Sequence, residues 1–301
     1  MHAKKCLWLL LLALLVSGAL ETPAAEAQTR PVQVAAVHCI PEADALVCEL
    51  VAYLTDGYTG DPAALAVYHL GREHAPEAVT AAQGAPHAVI LVDVSGSMDG
   101  YSDSDPVKQR LQEALAALPA GTRVAVIPFR HAISGDQAIA IGPESFSGDV
   151  AVWQAAAGAI EAQPGDGTCL YDAAHQAVAF LQQAVGPGAG KALILISDGQ
   201  DEPSRGERGP RCSAHSLEDV IARAAGDANN RVAVSAVGLG QEVQTDVLQT
   251  LAAATGGLAG GFGDMPALLA ETVRRVSPGA WIVRVRLWPA QGENLATLAV
   301  T

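Results

Sequence analysis

Five oxygen-bearing side chains stand out along the 301 residues: Asp93, Ser95 and Ser97 in the run Asp93-Val-Ser-Gly-Ser97, then Thr168, then Asp198. The two serines flank a glycine, so both hydroxyls can turn toward one point, with the Asp93 carboxylate beneath them. Thr168 closes the loop Pro164-Gly-Asp-Gly-Thr168 and adds a third hydroxyl. Asp198, in Ser197-Asp-Gly-Gln-Asp201, adds a second carboxylate. A donor set of oxygens without His or thiolate suits a hard divalent cation, Mg²⁺ first and Mn²⁺ or Ca²⁺ as alternatives, rather than zinc or copper. Few of these donors are charged. A bound ion would stay electron-poor and keep an open position, which a carboxylate from a partner can fill to complete an octahedron.

Such a site needs elements that deliver distant residues to one edge. His87–Asp93 and Lys191–Ser197 are continuous apolar runs, the mark of strands buried on both faces. In open α/β sheets ligands bind beyond the carboxyl ends of the strands, where Asp93 and Asp198 would stand. Asp105-Pro106 opens a helix with Val107, Leu111, Ala114, Leu115 and Leu118 on one stripe. Further strands are expected at Arg123–Phe129, Gln137–Ile141, Val232–Val237 and Leu258–Phe262. Helices are expected over 150–162, 171–185, 245–254 and from Asp264 to near Val276. Ser216 and Asp219 form a capping box for another. This alternation predicts a doubly wound α/β domain.

The combination resembles the von Willebrand factor type A domain with its metal-ion-dependent adhesion site. The family's D-x-S-x-S, distant Thr and distant Asp fall on Asp93, Ser95, Ser97, Thr168 and Asp198, supported by Gly167–Ala173 (G-T-C-L-Y-D-A) and Ser197-Asp-Gly199. The resemblance covers about residues 86–277 and implies a mainly parallel six-stranded sheet, with Gln137–Ile141 as its antiparallel edge strand. It implies that Ser95 and Ser97 ligate the ion directly, that Thr168 does so when ligand is engaged, and that Asp93 and Asp198 act directly or through water. The implied work is non-catalytic binding of a protein ligand through its carboxylate, as in cell adhesion. One departure is the long, charged stretch 202–215, which carries Cys212.

Around this domain the sequence reads differently. Residues 28–85 show strand and turn signals, with Leu46, Cys48, Leu50, Ala52 and Leu54 at a period of two. After Pro278 a period of two returns, with Trp281, Val283, Val285 and Leu287 on one face and Arg284 and Arg286 on the other. Residues 28–85 and 278–301 are therefore expected to share one β-rich unit. Residues 1–27 read as a removable export signal: Lys4 and Lys5, an apolar run from Leu7 to Val16, then Ala25-Glu-Ala27 as cleavage site. That run falls short of the roughly 20 residues of a spanning helix, so no membrane span is expected once the signal is gone. The reading is a secreted or periplasmic protein. Four cysteines remain, Cys39, Cys48, Cys169 and Cys212, and three connectivities are open. The expected pairs are Cys39–Cys48, stapling neighbouring strands, and Cys169–Cys212, closing a long loop worth roughly 4 kcal/mol.

A formal charge of −14 argues against sequence-blind binding of nucleic acid or anionic lipid and favours cations. The competing function is a metal-dependent hydrolase that activates water at the same ion. It requires a general base, and Asp201 is the obvious spare acid. Asp99, Asp103 and Asp105 lack the glycine and terminal glutamate of a calcium loop and read as solvated or capping residues. Gly186–Lys191 precedes a strand and reads as a helix-to-strand turn, not a phosphate loop. His131 and His175 read as solvated or packing residues.

Overall fold

The computed structural model describes residues 32–42, 45–54, 65–69, 72–101, 104–130, 139, 142–161, 167–203, 211–226, 230–287 and 296–300. The export signal, His131 and nearly all of the expected edge strand Gln137–Ile141 lie outside these residues. In chain order the first strands are β1 (Val32–Glu42), β2 (Ala45–Leu54), β3 (Leu65–His69), β4 (Arg72–His74) and β5 (Ala78–Ala81). The α/β layer follows with β6 (His87–Asp93), α1 (Asp105–Ala116), β7 (Arg123–Phe129), α2 (Val150–Gly158), α3 (Leu170–Ala184) and β8 (Lys191–Ser197). It continues with α4 (Leu217–Ala225), β9 (Ala233–Gly238), α5 (Thr245–Thr255), β10 (Ala259–Gly261) and α6 (Met265–Arg275). Last come β11 (Ala280–Leu287) and β12 (Ala296–Val300).

Among the described residues the central sheet has five strands in the order β10-β9-β8-β6-β7, every pair parallel. Helices cover both faces. Val178 and Leu181 of α3, Val220 of α4 and Leu251 of α5 pack on Val89, Leu91 and Leu195. Leu111 of α1, Trp153 of α2 and Leu269 of α6 pack on Ile90, Val92 and Ile194 from the other side. That double cover explains why β6 and β8 are apolar without alternation. The capping box is present: the Asp219 N–H donates to Ser216 Oγ and the Ser216 N–H donates to Asp219 Oδ2.

The chain leaves β6 toward β7 on one side and then continues through β8, β9 and β10 on the other. The order therefore reverses between β6 and β8, and a crevice opens at the carboxyl ends of those two strands. Their register is in phase, with Val92 opposite Ile196, so Asp93 and Ser197 emerge side by side.

Strands before and after the α/β layer meet in β structure. A four-stranded sheet runs β1-β2-β11-β5, and β12 pairs β3 beside β4 in a second sheet. Trp281, Val283, Val285 and Leu287 are buried with Cys48, Leu50, Ala52 and Val67, as the period of two in β11 demanded. In β2 the alternation fails. Val47 and Val51 are buried as well as Cys48, Leu50 and Ala52. Lying between β1 and β11, β2 turns its other face toward the α/β layer, so both faces leave water.

Candidate metal centre

The Asp93 carboxylate sits at the foot of the crevice with none of its surface exposed. Its Oδ1 accepts the Ser95 N–H at 3.0 Å, and its Oδ2 accepts the Ser197 hydroxyl at 2.8 Å. The Gly199 N–H in turn donates to Ser197 Oγ at 3.0 Å. Ser95 and Ser97 then lie within one short 3₁₀ turn, and their hydroxyl oxygens are 3.3 Å apart. Buried Met98 anchors this turn from below. Ser95 is buried while Ser97 is exposed, so the pair spans from the floor of the site to its mouth.

Asp198 follows directly on Ser197 and is 2% exposed. Its Oδ1 accepts the Gln200 N–H at 3.0 Å. Two glycines make its position possible. Gly199 has φ +84, which turns the chain sharply off β8, and Gly240 has φ +125 with its hydrogens facing Asp198. A Cβ on Gly240 would stand 3.2 Å from Asp198 Cβ, so the Gly238-Leu-Gly240 run serves close packing against this acid.

Thr168 is positioned from a separate loop. It pairs in an isolated antiparallel bridge with Glu202: the Thr168 N–H donates to the Glu202 carbonyl at 2.7 Å, and the Glu202 N–H returns at 3.0 Å. Glu202 lies four residues past Asp198, so the bridge ties the two loops together. Next to it Cys169 and Cys212 form a disulfide. Cys48 is also disulfide-bonded, and Cys39 stands opposite it in the β1–β2 ladder.

The electrostatics of the floor ask for a cation. Burial pushes the Asp93 carboxyl up to about 6, and the neighbouring Asp198 adds to the rise, while hydrogen bonds from Ser95 and Ser197 pull the other way. Among the described residues neither Asp93 nor Asp198 forms an ion pair. Two buried carboxylates side by side without a counter-charge are costly unless one takes up a proton or a cation joins them. Among the described residues no three His, Cys, Asp or Glu side chains are placed to hold a metal ion by themselves, so any ion here depends on the hydroxyls. That donor set fits a hard divalent ion.

The family of von Willebrand factor type A domains matches residues 87–260, more than half of the chain. The chain belongs to the von Willebrand factor type A domain family. No curated protein matches it. Among solved structures, the type A domain is similar to the conserved hypothetical protein BatB from Bacteroides thetaiotaomicron, with 17% identity, 63% of this chain and 98% of that chain covered, and a TM-score of 0.47. It is similar also to a von Willebrand factor type A protein from Catenulispora acidiphila, with 16% identity, 91% and 66% coverage and a TM-score of 0.46. The pilus adhesin SpaC from Lactobacillus rhamnosus GG, in its open conformation, gives 13% identity, 92% and 43% coverage and a TM-score of 0.45. The chain thus spans under half the length of that adhesin.

Three residues of the type A domain acquire roles that sequence reasoning did not assign. Ser197 orients Asp93, and its place in Ser-Asp-Gly at the end of a buried strand was the available signal. Glu202 holds Thr168 through backbone atoms, which leaves no trace in residue type. Asp201 is the third. Its Oδ1 accepts the Ser213 hydroxyl at 2.5 Å and the Tyr171 N–H at 3.4 Å, and its Oδ2 accepts the Ser213 N–H at 2.9 Å. The acid that looked spare holds the 211–215 segment onto the start of α3. His175, read in the sequence as a solvated or packing residue, stacks on His215 with ring centroids 3.8 Å apart.

Proposed function

We propose that this chain is an exported binding protein whose type A domain holds a divalent cation, Mg²⁺ first, among Asp93, Ser95, Ser97, Thr168 and Asp198, and uses it to bind an acidic side chain of a protein ligand. The observation that carries this reading is the pair of buried carboxylates, Asp93 and Asp198, set side by side at the strand switch point with no cationic partner among the described residues. When bound, the ion supplies the missing positive charge and an electrophilic position facing outward. Exposed Ser97 lies at the mouth, where an incoming carboxylate would arrive. The Cys169–Cys212 disulfide supports an oxidising destination, and no helix among the described residues is long and apolar enough to cross a membrane.

The binding reading is favoured over hydrolysis because Asp201, the candidate general base, is held by Ser213 and Tyr171. Calorimetric titration of chelator-stripped protein with Mg²⁺ and Mn²⁺ tests the metal. One saturating site is expected, weakened at least tenfold in Ser95→Ala and in Asp198→Ala with unchanged circular dichroism. A pull-down from the native secretome with Mg²⁺ or with EDTA tests the ligand. Recovery of the same proteins in both arms would sink the metal-bridged reading.

A further inference from the structure

The loop that leaves β8 grips the start of α3 with consecutive residues. Asp198 Oδ1 accepts the Gln200 N–H at 3.0 Å, so this loop orients the carboxylate. Glu202 exchanges two backbone hydrogen bonds with Thr168. Between them Asp201 acts through its side chain. The N-cap of α3 is Cys169, the residue after Thr168, and its side chain caps no N–H of the first turn. That turn is capped from a distance instead. Ser213 Oγ accepts the Asp172 N–H at 3.0 Å, and Asp201 Oδ1 accepts the Tyr171 N–H at 3.4 Å. Ser213 is buried and gripped by both Asp201 oxygens, Oδ1 accepting its hydroxyl at 2.5 Å and Oδ2 its N–H at 2.9 Å. The helix dipole favours a carboxylate at this place as well.

These ties fix a spacing that local geometry leaves free. At bond lengths of about 2.1 and 2.4 Å, neighbouring oxygens of an octahedron lie about 3.0 Å apart around Mg²⁺ and about 3.4 Å apart around Ca²⁺. The Ser95 and Ser97 hydroxyls, 3.3 Å apart on one short turn, can settle to either by small rotations. Thr168 and Asp198 belong to separate loops, and their spacing rests on the contacts between those loops. Ca²⁺ accepts a loose, adaptable set of oxygens. Mg²⁺ demands a small, near-ideal octahedron and gives up its water reluctantly. A site whose loops can drift apart therefore favours Ca²⁺.

We propose that Asp201 is a positioning residue that sets ion size. By clamping the β8 loop onto the first turn of α3, directly and through Ser213, it keeps Thr168 and Asp198 from spreading and selects Mg²⁺ over Ca²⁺. The inference rests on the reading that these residues, with Asp93, Ser95 and Ser97, hold a divalent cation. It gives the acid that looked spare in the sequence a task that requires no contact with the ion.

The test is calorimetric titration of the full, disulfide-intact chain with Mg²⁺ and with Ca²⁺ after stripping with EDTA, in the parent, Asp201→Ala, Asp201→Asn and Ser213→Ala. The parent is expected to bind Mg²⁺ about tenfold or more tighter than Ca²⁺, and Asp201→Ala to bring the two dissociation constants within about threefold of each other. Losing one negative charge weakens both ions alike, so the ratio isolates the spacing. Asp201→Asn loses the same charge but keeps an oxygen for the Tyr171 N–H and the Ser213 hydroxyl. Its ratio should stay within about threefold of the parent's, and Ser213→Ala should lower the ratio toward that of Asp201→Ala. Amide hydrogen exchange in EDTA gives a reading without metal: the Asp172 N–H should exchange about tenfold faster in Asp201→Ala, while the amides of β8 keep their protection and show the variant folded. A parent that fails to prefer Mg²⁺, an Asp201→Ala protein that keeps the parent ratio, or an Asp201→Asn protein that behaves like Asp201→Ala overturns the assignment and leaves the metal reading standing. A parent that binds neither ion overturns both.

Discussion

Asp93 carries opposite demands. Its carboxyl is pushed up to about 6 from 3.8, so the folded chain without metal holds the proton more tightly than the unfolded chain does. For an acid shifted upward, the protonated form is the one folding favours. Relative stability is greatest below about pH 4, declines as the pH rises, and the full cost is present above about pH 6. Asp93→Asn should therefore stabilise the EDTA-treated protein at pH 8 by on the order of 2 kcal/mol and bring no gain at pH 4, measured by denaturant unfolding at both values. The same variant should lose most of its Mg²⁺ affinity. For the parent chain, proton and cation compete for one carboxylate, so apparent Mg²⁺ affinity should fall about tenfold per pH unit below about 6. A pH-independent affinity between 5 and 7 would show that Asp93 is not among the groups that sense the ion.

At the scale of elements, the start of α3 and the 211–215 segment are joined three ways: the Cys169–Cys212 disulfide, the hydrogen bonds to Asp201, and those to Asp172. Asp172 accepts the Ala214 N–H at 3.0 Å, the His215 N–H at 2.9 Å and His215 Nδ1 at 2.7 Å, and its own N–H donates to Ser213 Oγ. Burial pushes its carboxyl up, but the donors from His215 and Ala214 outweigh that and hold it below the ordinary value. A lowered acid contributes stability above its unfolded pKa and loses it as the pH falls through the folded one. Asp172→Asn should thus cost about 1 kcal/mol at pH 7, and the difference from the parent should close on acidification toward pH 2, read as converging melting temperatures. Replacing Cys169 and Cys212 together by Ala should cost up to roughly 4 kcal/mol in the chain-entropy picture. Native-state hydrogen exchange should place the new openings at Ser213–His215 and not in β8.

At the scale of the whole molecule, strands from the first and last described stretches share one core. Strand β11 lies between β2 and β5, and Trp281, 3% exposed, fills the core they share. Trp281→Ala should cost about 3–5 kcal/mol and lower the melting temperature. Because the candidate metal centre lies at the opposite end of the central sheet, Mg²⁺ affinity in that variant should stay within about threefold of the parent, by calorimetry. A large loss of affinity would mean that the β unit and the crevice are coupled through the layer between them. The salt bridge from Arg231 to Glu49 crosses this junction.

What the residues determined locally was legible before any coordinates. Unbroken apolar runs marked β6 and β8, a stripe marked α1, and Ser216 with Asp219 marked the start of α4, because period and capping act within a few residues. Asp93, Ser95 and Ser97 could be expected to cluster for the same reason. Tertiary structure decided whatever depended on residues far apart in sequence. It set Ser197 against Asp93, a bond across 104 positions, and bridged Thr168 to Glu202. It engaged Asp201, which looked spare in the sequence, with Ser213 and Tyr171. It buried both faces of β2, where the alternation in sequence pointed to one, because a second layer lies behind it. Residue type records what a side chain can do. Strand order and register decide which other side chain, a hundred positions away, it does it with.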